Sequence, residues 1–582
     1  MDIPCLSNLK KSIGLSSMSV ICLPLKNRLY PCLLGPFFIL FLSACDTGFG
    51  NNDKNGEHNP ESIIQELNWK PEALSQSIRE KVMEWPKDST YYPEDTFDVE
   101  QELLRLYDQV QFQPFWIKTE GVPKYAADMI AQLADLRYDG LSDSFYNASG
   151  LKMMQQSLDS GNTGSMANWE IEMSKSFIQA SHDLLSGRYF YQKQNKEWKN
   201  RNDSMINWKK IFQISTTSGD FKEVFNQMRP NHRWYRALRN EFIRLDTLRT
   251  GFQTIQVTTL KDSIPIGFIS PEIVAIRKRL FAEIALPSDT SNQSWTPDLL
   301  EALKFFQYRH QIRETGRMDT ATIRRLNTNL DEKLKKLALN MERMRWLRHD
   351  FQQPFIWVNI PKMDMEYVEN DSIQFAMRVV IGRPGRPTPA LDSRIENIVF
   401  SPPWIVPPTI MREEVVPGIA RRGGSYLARR GLKAYDRRGR AVNASMINAK
   451  NFRSFSIGQA PGYRSSLGEV KFNMPNPWSI YMHDTPHRED FVKFYRAFSS
   501  GCVRVHKPKE FAAFLLRDSS KYSYSMIDSI CKKRKTIFVP MKRQVNVHFV
   551  YLTTSVDSAG QVLFLKDVYN WDTRDLKTSG LN

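Results

Sequence analysis

From residue 354 onward apolar and polar positions alternate with period two. Residues 355–360 and 375–382 form two such runs, parted by the polar turn Glu369-Asn370-Asp371-Ser372, and they predict strands. Residues 398–406 predict another, ending in a Pro-bounded turn. The run Trp478 to His483 predicts a strand whose last residue is a histidine. After Ser499-Ser500-Gly501-Cys502 comes Val503-Arg504-Val505, again apolar-charged-apolar, and then a helix opening with Pro508 in its first turn. Residues 545–552 and 561–564 predict a hairpin around Asp557-Ser558-Ala559-Gly560. The β pattern is interrupted over 409–461, where 410–420 has helical spacing and a mixed polar segment follows.

Before residue 354 the apolar period is that of a helix. Leu103-Leu104-x-x-Tyr107 leads into Phe112-Gln113-Pro114-Phe115-Trp116. Ala126-Ala127-x-x-Ile130-x-x-Leu133 runs to Asp139-Gly140-Leu141. Phe177-x-x-Ala180-x-x-x-Leu184 runs to Gly187-Arg188. Leu299-x-x-Ala302-Leu303-x-x-Phe306-Gln307 is amphipathic, with His310 expected as an exposed helix residue. A turn at Gly316-Arg317-Met318-Asp319 and the helix Thr322 to Asn327 follow, then a long helix over 334–347. The fold class predicted is α+β and multidomain, mostly helical first and mostly β after residue 354. At the start, Lys26-Asn27-Arg28 precedes an apolar stretch over 29–42 that is too short to span a bilayer. It has the length of a signal-peptide core, with Met18 as a second possible start. Residues 46–61, rich in Asn, Asp, Gly and Lys, predict a flexible tether.

Composition narrows the function classes. The 582 residues leave room for several cores, and 41% hydrophobic with 12% aromatic residues describes a folded chain. The net charge of +17 favours anionic partners. The positive residues are dispersed, and the arginine pairs at 421–422, 429–430 and 437–438 read as a solvated face, so nucleic acid is not the expected partner. No zinc spacing, P-loop or HExxH helix occurs, so neither a metal nor another cofactor is expected. Of six cysteines, only Cys45, Cys502 and Cys531 lie beyond the apolar leader, too few for a disulfide framework. A Cys502–Cys531 disulfide would consume a candidate nucleophile.

That candidate is the sharpest chemical signal in the chain. His483 ends one strand and Cys502 begins the next, across the loop 485–498. Two neighbouring strands would bring imidazole and thiol together, as nucleophilic catalysis requires. Gly501 permits a sharp turn, and the N–H groups of Gly501 and Cys502 are expected to face a developing oxyanion. The competing reading is a structural cysteine beside a strand-end histidine. His487, His506 and His548 are rival bases and are read as non-catalytic.

The words around this pair are Leu467-Gly468-x-Val470-Lys471-Phe472, Tyr481-x-His483-Asp484-Thr485-Pro486 and Arg496-Ala497-Phe498-Ser499-Ser500-Gly501-Cys502-Val503-Arg504-Val505. Together they resemble the catalytic core of the L,D-transpeptidases, the YkuD-type domain. The order of motifs from about Leu103 to Asp572 resembles the large periplasmic subgroup. The resemblance implies a helical scaffold domain over 96–290 and a small three-helix peptidoglycan-binding-like module over 291–330. A linking helix over 331–353 and a catalytic domain over 354–525 with a capping insertion over 409–461 follow, then C-terminal strands over 526–582. Leu42-Ser43-Ala44-Cys45 resembles a lipobox, implying a lipoprotein signal over 1–44, lipidation of Cys45, a membrane-anchored envelope protein and a tether and approach segment over 45–95.

For the site, the resemblance implies Cys502 as nucleophile, His483 as base, the Asp484 backbone carbonyl as its orienting group, and Tyr481 with Gly501 at the oxyanion. Arg504, Ser500 and Trp404 are the implied substrate-binding positions. The implied activity is 3→3 cross-linking of peptidoglycan, with tetrapeptide stems as donor and acceptor, no cofactor, and carbapenems as covalent inhibitors. Three alternatives stay open: an L,D-carboxypeptidase, ligation of a protein to peptidoglycan, and a non-catalytic wall-binding lipoprotein.

Overall fold

Residues 62–84, 97–188, 207–252, 255–258, 262–284, 290–347, 351–448 and 450–579 are described by a computed structural model. The apolar leader, Cys45 and most of the tether lie outside them. Residues 62–84 belong to the first folded layer. Strand Ile63–Glu66 pairs antiparallel with Gly121–Pro123. Helix Pro71–Met83, with Pro at its first position, buries Leu74, Ile78 and Val82 at four-residue spacing. These side chains share one core with Leu103, Trp116, Phe177 and Phe225. The expected boundary at residue 96 therefore falls inside a core, because the helix needs the face of Thr163–Ser186 to bury its own apolar stripe.

Two polar groups fix that layer. The Pro-Phe-Trp turn leaves backbone donors without a helical partner, and the buried carboxylate of Glu170 accepts both, from Phe115 N at 2.6 Å and Trp116 N at 2.9 Å. Asp139, fully buried, accepts from Arg229, Arg239 and the Tyr235 hydroxyl. Burial by itself would raise its carboxyl, yet Arg229 first, then Arg239 and Arg345, hold it below the ordinary value. At the next residue Gly140 has φ +73°, and a Cβ there would lie 2.5 Å from Ala338. Helix Leu330–Arg345 therefore seats directly on this turn.

Helices Glu272–Ile284, Pro297–Arg309 and Thr320–Leu326 share a separate core of Ile273, Trp295, Leu303, Phe306 and Leu326. The three-helix unit thus begins well before residue 291. His310 is buried, contrary to its expected exposure. Its Nε2 lies 3.0 Å from Glu283 Oε2, and its ring stacks on Phe564 at 5.3 Å. The reason is that the end of its helix is pressed against a β-hairpin, where Arg309 Nε donates to Val562 O.

The β half is a nine-stranded sheet in the order Ala497–Ser499, Ser372–Gly382, Val503–Val505, Met482–His483, Val470–Asn473, Leu391–Phe400, Ile537–Val550, Phe355–Asn359, Asp364–Glu369. The last strand also pairs back onto Ser372–Gly382. Asp364–Glu369 was not foreseen as a strand. Ile537–Val550 lies inside the sheet, antiparallel to Leu391–Phe400 and parallel to Phe355–Asn359. A boundary at residue 525 would remove a strand whose Val545, Val547 and Phe549 fill the sheet's core. The expected hairpin is closed instead by Thr554–Val556 with Val562–Phe564.

The chain leaves the sheet at Ser401 and builds the insertion around Met411, Val415, Ile419, Leu427 and Ile457. Its own four-stranded sheet runs Trp404–Ile405, Ser456–Gln459, Lys433–Tyr435, Ala441–Val442.

Candidate active site

Register decides which side chains meet. Met482 pairs with Val503 and His483 with Arg504 in parallel, while Lys471 pairs with His483 and Phe472 with Met482 in antiparallel. Met482, Val503 and Phe472 enter the core. With period two, Tyr481, His483, Cys502, Arg504 and Lys471 are therefore placed together on the opposite face. The Tyr481 N–H and hydroxyl both hydrogen-bond the Cys502 sulfur. The Tyr481 and His483 rings are 5.6 Å apart, and the Lys471 ammonium lies 4.0 Å from the centre of the Tyr481 ring.

His483 is buried, and its Nδ1 lies 2.5 Å from the carbonyl oxygen of Asp484. A carbonyl only accepts, so Nδ1 carries the proton and the neutral ring keeps its lone pair on Nε2. Burial first, then the Arg504 charge, lower the imidazole to about 3. Burial also raises the Cys502 thiol, against the opposing pull of the Tyr481 hydrogen bonds and Lys471. The resting pair is thus a neutral thiol and a neutral imidazole.

The residue that carries this carbonyl is clamped through its side chain. The Asp484 carboxylate accepts from Glu469 N and Thr485 N at 2.8 and 2.6 Å and pairs with Arg488 at 2.5 Å. Gly468, at φ +58°, lies beneath it, where a Cβ would come within 2.4 Å of the Asp484 carboxyl carbon. The Leu467-Gly468 word in the sequence follows from this contact.

The cysteine turn is held by hydroxyls. Ser499 Oγ donates to Cys502 O at 2.6 Å and accepts from Gly501 N at 3.1 Å; Thr388 Oγ1 donates to Gly501 O at 2.7 Å. Gly501 has φ +117°, which explains the glycine. Its N–H does not face a substrate oxyanion as expected, because the short turn directs it to Ser499.

The other expected positions are scattered. Arg504 pairs with Asp490 of the intervening loop at 3.2 Å. Ser500 Oγ accepts from Arg386, whose guanidinium also pairs with Glu413 and Glu414 of the insertion. Trp404 is a strand residue of the insertion, paired with Gln459 and packed on that core. His487 pairs with Glu489, His506 packs on Phe491, and His548 lies 2.5 Å from Asp392. Cys531 is buried and free, its thiol pushed up to about 12 by burial. Lys471, Arg386 and Thr388 were not singled out by sequence. Lys471 stands within a quoted word, but a lysine between apolar strand positions reads as the solvated face.

Residues 353–539 match the L,D-transpeptidase catalytic domain (YkuD) family, and residues 101–242 match a scaffold domain. A Haemophilus influenzae protein whose name provisionally makes it an L,D-transpeptidase is 32% identical over 251 residues, 43% of this chain. The match spans 50% of that relative's length. Among solved structures, an L,D-transpeptidase of Xylanimonas cellulosilytica (residues 123–326) overlays 50% of this chain and all of its own at 10% identity and TM-score 0.17. An L,D-transpeptidase of Stackebrandtia nassauensis overlays 50% of this chain and 97% of its own at 13% identity and TM-score 0.19. Both scores are too low to bear on the fold. The chain carries a YkuD-type L,D-transpeptidase catalytic domain joined to a scaffold domain.

Proposed function

We propose that this protein forms 3→3 cross-links in peptidoglycan through an acyl-enzyme on Cys502, in the bacterial cell envelope. The observation that carries the reading is the meeting, on one sheet face, of a thiol, a neutral imidazole with its free lone pair on Nε2, and a tyrosine hydroxyl on the sulfur. Cys502 Sγ attacks the carbonyl between the third and fourth residues of a tetrapeptide stem as its proton passes to His483 Nε2. The Tyr481 hydroxyl turns from the sulfur to the oxyanion, with the Cys502 N–H as second donor. Losing such a donor costs about 10²–10³-fold in rate. The imidazolium returns its proton to the departing D-alanine amine, leaving a thioester. The side-chain amine of a neighbouring stem then attacks the thioester, gives its proton to His483, and releases the thiol as the new amide forms.

Carbapenems acylate the same sulfur in this reading. Lipidation of Cys45 would hold the enzyme at the membrane, with residues 46–61 as its reach. The arginine-linked insertion over the site supplies the wall of a stem-binding groove and excludes water. The test is incubation with purified disaccharide-tetrapeptide, read by mass. A dimer lacking one D-alanine, absent with Cys502→Ala, supports the reading. Monomeric tripeptide alone identifies a carboxypeptidase instead. No conversion, and no carbapenem adduct on Cys502, overturns both.

A further inference from the structure

The active-site face holds two cations near the cysteine, and only one has a carboxylate in contact. Arg504 is paired with Asp490, which Lys493 shares. Lys471 has no carboxylate partner among the described residues, although its side chain is half-buried between the histidine strand and Leu391–Phe400. Taking an ammonium out of water without an anion is unfavourable. A lysine that merely covered the sheet would turn its tip to solvent. This one lies over the Tyr481 ring, on the side chain that also touches the cysteine sulfur. Its strand is two away from the cysteine strand, a span of about 10 Å that the extended side chain bridges across the ring.

We propose that Lys471 is a positioning residue of the nucleophile, holding an unpaired positive charge over Tyr481 so that the Cys502 thiolate is stabilised as His483 removes its proton. The proposal rests on Cys502 being the nucleophile of the reading above. The charge balance of the step favours it. Before attack, thiol and imidazole are both neutral, Arg504 is held by the carboxylate of Asp490, and Lys471 has no such contact. Proton transfer creates a thiolate and an imidazolium. Lys471 attracts the first and repels the second, so the imidazolium is poised to give its proton to the leaving amine. The charged or titratable groups that act on the sulfur are Tyr481, Lys471 and Arg504, with His483 on the same sheet face. Of the two cations, only Lys471 is without a carboxylate in contact among the described residues.

The first readout does not use the wall substrate. The rate at which iodoacetamide alkylates Cys502 in the full protein is followed against pH by the mass of the peptide that carries it, so that the other five cysteines do not enter the readout. Cys531 is buried and inert by comparison. Lys471→Met is expected to slow alkylation at pH 8 about tenfold and move the rise of the rate to higher pH by about one unit. Lys471→Arg is expected to restore it within a few-fold. Thermal melts establish that each variant is folded, and Lys471→Gln carries the same test if the Met variant does not fold. A folded Met or Gln variant that alkylates like the parent at every pH overturns the proposal. So does a variant whose only defect is a raised KM for tetrapeptide, since that is a substrate-carboxylate role. If the alkylation shift is seen but the parent makes no cross-link, the proposal holds and the transpeptidase reading fails.

Discussion

The imidazole of His483 donates from Nδ1 to the carbonyl oxygen of Asp484, the residue that follows it, at 2.5 Å. A backbone acceptor cannot be deleted by changing its side chain. It can only be displaced, and here displacement is resisted by Gly468, which packs against the Asp484 carboxyl group. Gly468→Ala should therefore act on catalysis without touching a catalytic group. The positive φ costs an alanine about 1–2 kcal/mol, and the Cβ forces Asp484 and its carbonyl away. The expected result is a modest fall in melting temperature with at least a tenfold loss of turnover. A variant with reduced stability but parental turnover would show that the carbonyl's position does not matter.

The protonation states give a second test. Burial and Arg504 lower His483 to about 3. The folded protein therefore binds fewer protons at this site than the unfolded chain between about 3 and the ordinary 6.5. Its contribution to stability is complete above 6.5 and is lost as pH falls toward 3. The same depression keeps the base neutral at mildly acid pH. The acid limb of kcat/KM should lie below about pH 5, with no inflection near 6.5, in a pH–rate profile corrected for unfolding. An inflection at 6.5 in that profile would contradict the buried, neutral base.

The strand-delivered histidine and the Ser-Ser-Gly-Cys turn were legible because both are local: alternation, a turn glycine and fixed words encode them within a few residues. What was missed depends on partners far away in the chain. Asp364–Glu369 carries three acids in six residues and reads as a loop until its pairing with Phe355–Asn359 and Ser372–Gly382 is known. Val545 and its neighbours alternate like an outer hairpin strand, yet their partners include Leu391–Phe400, some 150 residues earlier. His310 reads as solvent-facing from helix spacing alone, because Phe564, which covers it, arrives from the far end of the chain. Gly501 was placed correctly as a turn glycine, but its N–H direction depends on Ser499 Oγ, which spacing does not reveal.

Arg386 ties the insertion to the cysteine turn. It donates to Ser500 Oγ at 3.2 Å and pairs with Glu413 and Glu414, and Glu414 also receives Arg430 at 3.4 Å. Partly exposed pairs of this kind are each worth about 0–1 kcal/mol, so Arg386→Ala should lower global stability only slightly. Its local effect should be larger, because one guanidinium joins three elements. Amide exchange should quicken in Met411–Val415 and Val416–Arg422, and KM for the stem substrate should rise several-fold with a smaller change in kcat. Unchanged exchange in both segments would show that the insertion is held by its other contacts.

The junction between the three-helix unit and the catalytic hairpin rests on a buried charge cluster. Glu283 accepts from Lys333 and faces His310 Nε2, with all three side chains nearly inaccessible. Burial would raise the Glu283 carboxyl, but Lys333 and then His310 hold it at about 2, while burial and Lys333 lower the imidazole to about 3. The cluster is thus one anion, one cation and a neutral ring. Glu283→Gln leaves the Lys333 ammonium buried without an anion, and breaking such a pair costs about 3–5 kcal/mol. Adding Lys333→Met removes the orphaned charge, so the double variant should recover most of the loss in urea unfolding. A folded carboxyl lowered from 4.5 toward 2 contributes stability above the unfolded value and loses it as pH falls. The parent should therefore weaken below about pH 4.5 more steeply than the double variant. If Glu283→Gln alone is as stable as the double variant at neutral pH, the ammonium is not buried as a charge, and apolar packing of Phe306 and Phe564 around His310 holds the junction instead.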